Sequence, residues 1–234
     1  MQPYQTRPHR AARARQLRGL YDSSITFAAI VFAVSGSLVA SQKGMDVMGF
    51  MWFAVITGVG GGTVRDLILG VPVFWVQNPT PVTACLTTAV VMHFVAPRVA
   101  SRYQTHLWSD AFGLALVTIA GTVKATDVGA PALVAIAMGA VTGTVGGIIR
   151  DTLGHVPSVL LGHEIYITAS ALGACTYVAC NGLGVGRVSA MAAGFLVTFV
   201  VRSLAITLGW SLPVFRESTR RERWRSRSKD SPGG

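Results

Sequence analysis

Gly58-Val59-Gly60-Gly61-Gly62-Thr63-Val64-Arg65-Asp66 returns 85 residues later as Gly143-Thr144-Val145-Gly146-Gly147-Ile148-Ile149-Arg150-Asp151. In both copies the glycines and the Arg-Asp pair lie inside or at the end of a long apolar run. The same offset pairs Phe27 with Phe112, Gly36 with Gly121, Gly44 with Gly129 and Pro72 with Pro157, and continues through Thr83/Thr168 and Ala84/Ala169. An ungapped register of that length, anchored on glycines and charges, does not follow from shared apolar composition. The sequence reads as an internal duplication whose unit carries a broken, charged membrane helix.

Composition agrees with a membrane setting. The 234 residues are 51% hydrophobic and only 13% charged, with a mean hydropathy of +0.50. A soluble domain carries about twice that charged fraction. The net charge of +10 is concentrated at the ends: residues 1–20 hold five arginines and no acid, and residues 210–234 hold seven basic and three acidic side chains. The span between them is almost neutral, as a lipid-embedded core should be. The basic tails flank apolar spans and lack interleaved aromatics apart from Trp224. They therefore suit anionic lipid head groups rather than nucleic acid.

Seven apolar runs follow one another at about 22–41, 46–64, 80–97, 108–125, 131–149, 164–181 and 188–209. Each approaches the ~20 residues that a helix needs to cross the hydrocarbon core. Backbone amides cannot face lipid unpaired, so the runs should be helices, and β-barrel strands would be shorter and alternating. The expected fold is an all-α integral membrane protein with seven transmembrane helices. It divides into a basic tail (1–20), a first three-helix unit (21–97), a second (107–182), a seventh helix (187–210) and a second basic tail (211–234), the tails mobile and solvated. Reading the first run as a cleaved signal peptide fails, because Phe27 and Gly36 have counterparts deep in the chain, where no signal acts.

Three spans per unit is an odd number, so the second unit should enter the bilayer from the opposite side. The expectation is an inverted repeat about an axis in the membrane plane. The seventh span places the termini on opposite faces, and the positive-inside rule favours a cytoplasmic C-terminus in a multi-pass cell-membrane protein.

The glycines admit two readings. Gly58/Gly62 and Gly143/Gly147 have the small-xxx-small spacing of close helix packing. Successive glycines also weaken a helix by about 1 kcal/mol each, so Gly60, Gly61, Gly62, Gly146 and Gly147 are candidates for kinks that line a cation path. Intramembrane charge is expensive, so Arg65, Asp66, Arg150 and Asp151 should face protein or water. Inverted symmetry would let Arg65 meet Asp151 and Asp66 meet Arg150.

At this point the sequence resembles the prokaryotic trimeric intracellular cation (TRIC) channel family. The first half carries it through Gly60-Gly61-Gly62-Thr63-Val64-Arg65-Asp66 and Gly70-Val71-Pro72-Val73-Phe74-Trp75. The second carries it through Gly146-Gly147-Ile148-Ile149-Arg150-Asp151, Val156-Pro157 and Glu164-Ile165-Tyr166. The resemblance covers about residues 21–210. It implies a homotrimer in which each subunit has its own pore for K⁺ and other monovalent cations, bounded by the second and fifth helices kinked at their glycines. Lys124, His163 and Glu164 are the candidate gating or entrance residues. Two departures stand out. Val145 replaces the glycine matching Gly60, and Gly162-His163 stands where the family commonly has a basic pair, leaving His163 as a pH-responsive substitute.

Other classes are poorly supported. Cys85, Cys175 and Cys180 have no metal-ligand partners at useful spacing, and Gly58 to Gly62 is no dinucleotide loop without a preceding strand. No nucleophile has a credible base, so neither an enzyme nor a cofactor is expected. The competing reading is a secondary transporter of a small zwitterion such as glycine, since related bacterial sequences are described that way.

Overall fold

A computed structural model describes residues 8–98, 102–155 and 165–208. Among them are seven helices of sixteen residues or more: α1 (Pro8–Gln42), α2 (Val47–Ile68), α3 (Thr80–Val95), α4 (Arg102–Asp127), α5 (Ala132–Gly154), α6 (Ile167–Gly182) and α7 (Arg187–Leu208). A single helical turn, Phe74–Gln77, lies between α2 and α3. Five helices have stretches long and apolar enough to cross a membrane: Ser23–Gln42 of α1, Val47–Ile68, Thr105–Asp127, Ala132–Gly154 and Arg187–Leu208. Helices α3 and α6 have sixteen residues each, about 24 Å, short of the ~30 Å hydrocarbon core.

Local signals set the boundaries. Asp46 caps α2 by accepting from the Gly49 N–H at 2.9 Å, satisfying one of the orphan donors of the first turn. Beyond α2, Gly70 takes a left-handed φ of +64° while the Val71 N–H closes onto the Asp66 carbonyl, the usual C-terminal stop. At the matching end of α5 the left-handed residue is His155, at φ +46°, where a side chain is less welcome than none. Helix α1 runs for 35 residues from Pro8, about 52 Å.

Helices α1, α2, α4 and α5 form the centre, with α1 on α4 and α2 on α5. Helix α3 packs against α1 and α2, α6 against α4 and α5, and α7 against α4 and α6. One apolar core joins Ala29, Ala33 and Leu38 of α1, Phe50 and Phe53 of α2, and Cys85, Ala89 and Met92 of α3. Another joins Ile119 and Val123 of α4 with Tyr177 of α6 and Ala190 of α7. Large apolar side chains such as Trp52, Phe94, Leu133 and Leu196 point outward, as a lipid-facing surface requires.

Helix contacts recur at the offset of 85. A methyl group built on Gly36 would lie 2.5 Å from the Phe53 carbonyl oxygen and 2.7 Å from Thr57 Oγ1. One built on Gly121 would lie 3.0 Å from the Met138 carbonyl oxygen and would collide with Thr142 Oγ1. Each partner in the second set stands 85 positions after its partner in the first.

Candidate functional site

The site is built on the crossing of α2 and α5. A methyl group on Gly61 would strike the Thr142 carbonyl oxygen, and one on Gly146 would lie 2.7 Å from the Thr57 carbonyl oxygen. The contact is reciprocal, because Gly61 and Gly146, like Thr57 and Thr142, stand 85 residues apart. It is also antiparallel: moving from Thr57 to Gly61 on α2 moves from Gly146 to Thr142 on α5. Only residues without a side chain allow two helix backbones to come this close.

Helices α2 and α5 nevertheless remain helical without interruption through Gly60–Gly62 and Gly146–Gly147, so the expected break in each does not occur. Opening a turn here would leave amides and carbonyls unpaired in an apolar interior, and the glycines serve close approach instead. The five glycines differ in surroundings. Gly60 has room, with Ile149 Cδ1 3.6 Å from a methyl built on it. The Phe74 ring covers Gly62, 2.6 Å from such a methyl, and a methyl built on Gly147 would lie 3.1 Å from the Tyr166 hydroxyl and 3.5 Å from Arg150 Nη2.

Beyond the crossing on the α2 side lies the first charge cluster. Asp66 accepts from Arg65 Nε at 2.8 Å, from Lys124 Nζ of α4 at 3.0 Å and from the Phe74 backbone N–H at 2.9 Å. Arg65 stands 5.7 Å from the centroid of the Phe74 ring, and Trp75 Nε1 donates to Thr63 Oγ1 at 2.9 Å. Asp66 thus secures the Phe74–Gln77 turn, whose first ring closes over Gly62. Arg65 and Asp66 are both buried, whereas Lys124 keeps partial access to solvent.

The second cluster gathers around Arg150. Its Nε donates to Asp151 Oδ1 at 2.7 Å, and its Nη1 donates to Asp110 Oδ1 of α4 at 2.7 Å and to Ser35 Oγ of α1 at 2.6 Å. Ser35 Oγ also hydrogen-bonds His106 Nδ1 at 3.0 Å. Arg202 of α7 lies 5.0 Å from the Tyr166 ring centroid. All of these side chains are buried in the subunit.

The expected exchange of partners between the two motifs is therefore overturned: Arg65 pairs with Asp66, and Arg150 with Asp151 and Asp110. Antiparallel packing gives the reason. Thr57 faces Gly146 and Gly61 faces Thr142, so each arginine lies six residues beyond the middle of the crossing, about 9 Å along the axis, in opposite directions. The two motifs end roughly 18 Å apart, beyond direct contact. Helix α4 supplies the missing counter-charges, an ammonium from Lys124 for one cluster and a carboxylate from Asp110 for the other.

Of the remaining candidates, His163 and Glu164 lie outside the described residues. Ser35, His106, Asp110, Tyr166 and Arg202 were not singled out as site residues by sequence reasoning. Asp110 was the findable one, a lone acid in the apolar run at 108–125. Cys85 is buried, with Sγ 3.6 Å from the Ala29 carbonyl oxygen, a packing residue.

Comparison with known proteins adds four likenesses. A family model described as Glycine transporter matches residues 25–97 and 107–182. The UPF0126 inner membrane protein YadS of Escherichia coli (strain K12) is 38% identical over 189 residues, covering 79% of this chain and 91% of its own length. The solved TRIC trimeric intracellular cation channel orthologue from Rhodobacter sphaeroides shares 46% identity at a TM-score of 0.79, over 82% of this chain and 99% of that one. A second solved TRIC cation channel shares 30% identity at a TM-score of 0.72, over 85% and 98%.

Proposed function

Because the chain belongs to the family that contains the TRIC cation channels and is described as Glycine transporter, we propose that this multi-pass membrane protein is a monovalent cation channel. K⁺ is the ion we assign to it, with one pore inside each subunit of a homotrimer. The observation that carries this reading is a polar column within a single apolar subunit. Arg65, Asp66 and Lys124 lie on one side of the α2–α5 crossing, and Arg150, Asp151 and Asp110 on the other. Charges inside a membrane are expensive and mark ion or substrate paths.

The column runs along α2 and α5, so the narrow region falls at their crossing. The backbones touch at Gly61 and Gly146, so ions pass beside this contact rather than through it. Gly60, Gly62 and Gly147 are then the path-lining glycines. The Phe74 ring over Gly62 and the Lys124–Asp66 pair are the groups that a conducting state would displace. His163 and Glu164 keep their proposed place at an entrance. An inverted repeat of residues 21–97 and 107–182 is supported by the reciprocal crossing and by the family model matching twice. Placement in the inner membrane, and contact of the basic ends with anionic lipid, complete the proposal.

Planar bilayers under a K⁺ gradient test it. Unitary currents reversing near the K⁺ equilibrium potential are expected. The family's description favours one alternative, a secondary transporter of a small zwitterion such as glycine. Saturable glycine uptake into proteoliposomes without unitary currents would establish that alternative and sink the channel.

A further inference from the structure

An open groove of about 400 Å³ lies between α1 and the start of α3, lined by Ser23, Thr26, Phe27 and Ile30 from α1 and by Asn78 and Thr80. The four α1 positions have the i, i+3, i+4, i+7 spacing of one helix face. The corresponding surface of the second half is filled. Phe112, 85 residues after Phe27, receives Phe195 and Phe199 of α7 at ring-centroid distances of 5.4 and 5.8 Å. Phe27 touches Phe112 edge-on at 6.2 Å, yet remains 52% exposed. Where α7 closes the second half, the first half presents a groove.

Its depth and chemistry identify an occupant. Ser23 opens the apolar stretch of α1 and Thr80 opens α3, so the groove sits at the boundary between hydrocarbon and head groups. Its floor is apolar, from Phe27 and Ile30, while its other lining groups are hydroxyls and an amide. Beyond Ser23, α1 continues as helix through Arg18, Arg15, Arg13 and Arg10, opposed by the single acid Asp22. We propose that the groove binds an anionic phospholipid. An acyl chain lies over Phe27 and Ile30 in the place that α7 takes in the other half. The glycerol and ester oxygens meet the hydroxyl and amide groups, and the phosphate is drawn by the net positive charge of the sequence that precedes Ser23. This site does not depend on whether the subunit conducts.

Native mass spectrometry of the full chain in detergent reads the bound lipid, using phosphatidylglycerol and phosphatidylcholine with identical acyl chains. The parent should retain phosphatidylglycerol in preference. Thr26→Trp fills the groove and should lower retention of both lipids. Ser23→Ala/Thr80→Val removes two hydroxyls with little change in volume and should do the same, even if the tryptophan variant fails to assemble. Arg15→Gln/Arg18→Gln should weaken the preference for phosphatidylglycerol by roughly fivefold per arginine, leaving phosphatidylcholine unchanged. Equal retention of the two lipids by the parent, or unchanged retention in both groove variants, overturns the proposal. So does a Thr26→Trp protein that keeps its lipid but loses a subunit from its assembled mass, which would give the groove to a second copy of the chain.

Discussion

Asp110 on α4 holds Arg150 on α5 at 2.7 Å, with both side chains fully buried. Arg150 also holds Asp151 at 2.7 Å, so removing the arginine strands two buried carboxylates, and leaving a buried charge unmatched costs about 3–5 kcal/mol. Arg150→Met is therefore expected to lower the thermal midpoint in detergent sharply, and by more than Asp110→Ala, which leaves the Arg150–Asp151 pair in place. Asp110→Ala/Arg150→Met/Asp151→Ala should recover part of the Arg150→Met loss. Identical melting of Arg150→Met and the triple variant would show that unmatched charge is not the source of the effect.

The two charge clusters should behave independently. Asp66 and Arg150 have different partners on opposite sides of the crossing, so the losses from Asp66→Ala and Arg150→Ala should add to within about 0.5 kcal/mol. Denaturation midpoints of the two singles and the double measure this. A strong rescue in the double would restore the reciprocal pairing that the geometry rejects.

The glycines should divide by position. At Gly61 even a methyl group meets backbone, so Gly61→Ala and Gly146→Ala should each cost about 1–3 kcal/mol as overpacking. Gly60→Ala has room and should be neutral or stabilising by up to about 1 kcal/mol through helix propensity. Thermal midpoints and chromatographic recovery distinguish these outcomes. A Gly61→Ala protein as stable as its parent would mean that the crossing is looser than described.

Lys124 adds a positive charge at one end of the proposed path. Lys124→Gln should raise the unitary cation conductance in dilute salt, and the increase should shrink in concentrated salt as screening removes the field. Conductance ratios at both ionic strengths check this. An increase independent of salt would point to a steric rather than an electrostatic action.

His155 ends α5 in the left-handed region, where a side chain costs about 1–2 kcal/mol relative to glycine. His155→Gly should raise the thermal midpoint, since the Lys43 Nζ bond to its carbonyl at 3.3 Å uses backbone only. A lower midpoint would mean that the imidazole contributes more than its conformation costs.

Much of the helix pattern was legible because apolar runs of membrane length are rarely ambiguous. One boundary differs for a physical reason. The second apolar run ends at Val64, but Lys124 and the Phe74 amide cover Asp66, and α2 continues to Ile68. Within the site, the offset of 85 located both Arg-Asp motifs. It did not reveal their partners, because pairing depends on how far along antiparallel axes each motif lies from the crossing. Thr57 and Thr142 share that offset, yet their contribution is a backbone carbonyl, which no side-chain pattern announces. Ser35 and Tyr166 are common residues whose importance arises only from the neighbours that folding brings to them.

The division of labour on α4 shows where the two halves, matched at the offset of 85, part company. Asp110 and Lys124 correspond to Ile25 and Val39 on α1, so only the later copy carries the counter-charges. The debt runs both ways, since Ser35 of the earlier copy serves Arg150 of the later one. Two copies of either half, brought together as a dimer of identical subunits, would lack or duplicate these groups. The two halves are therefore not interchangeable, and making them so would require compensating changes on α1 and α4 together.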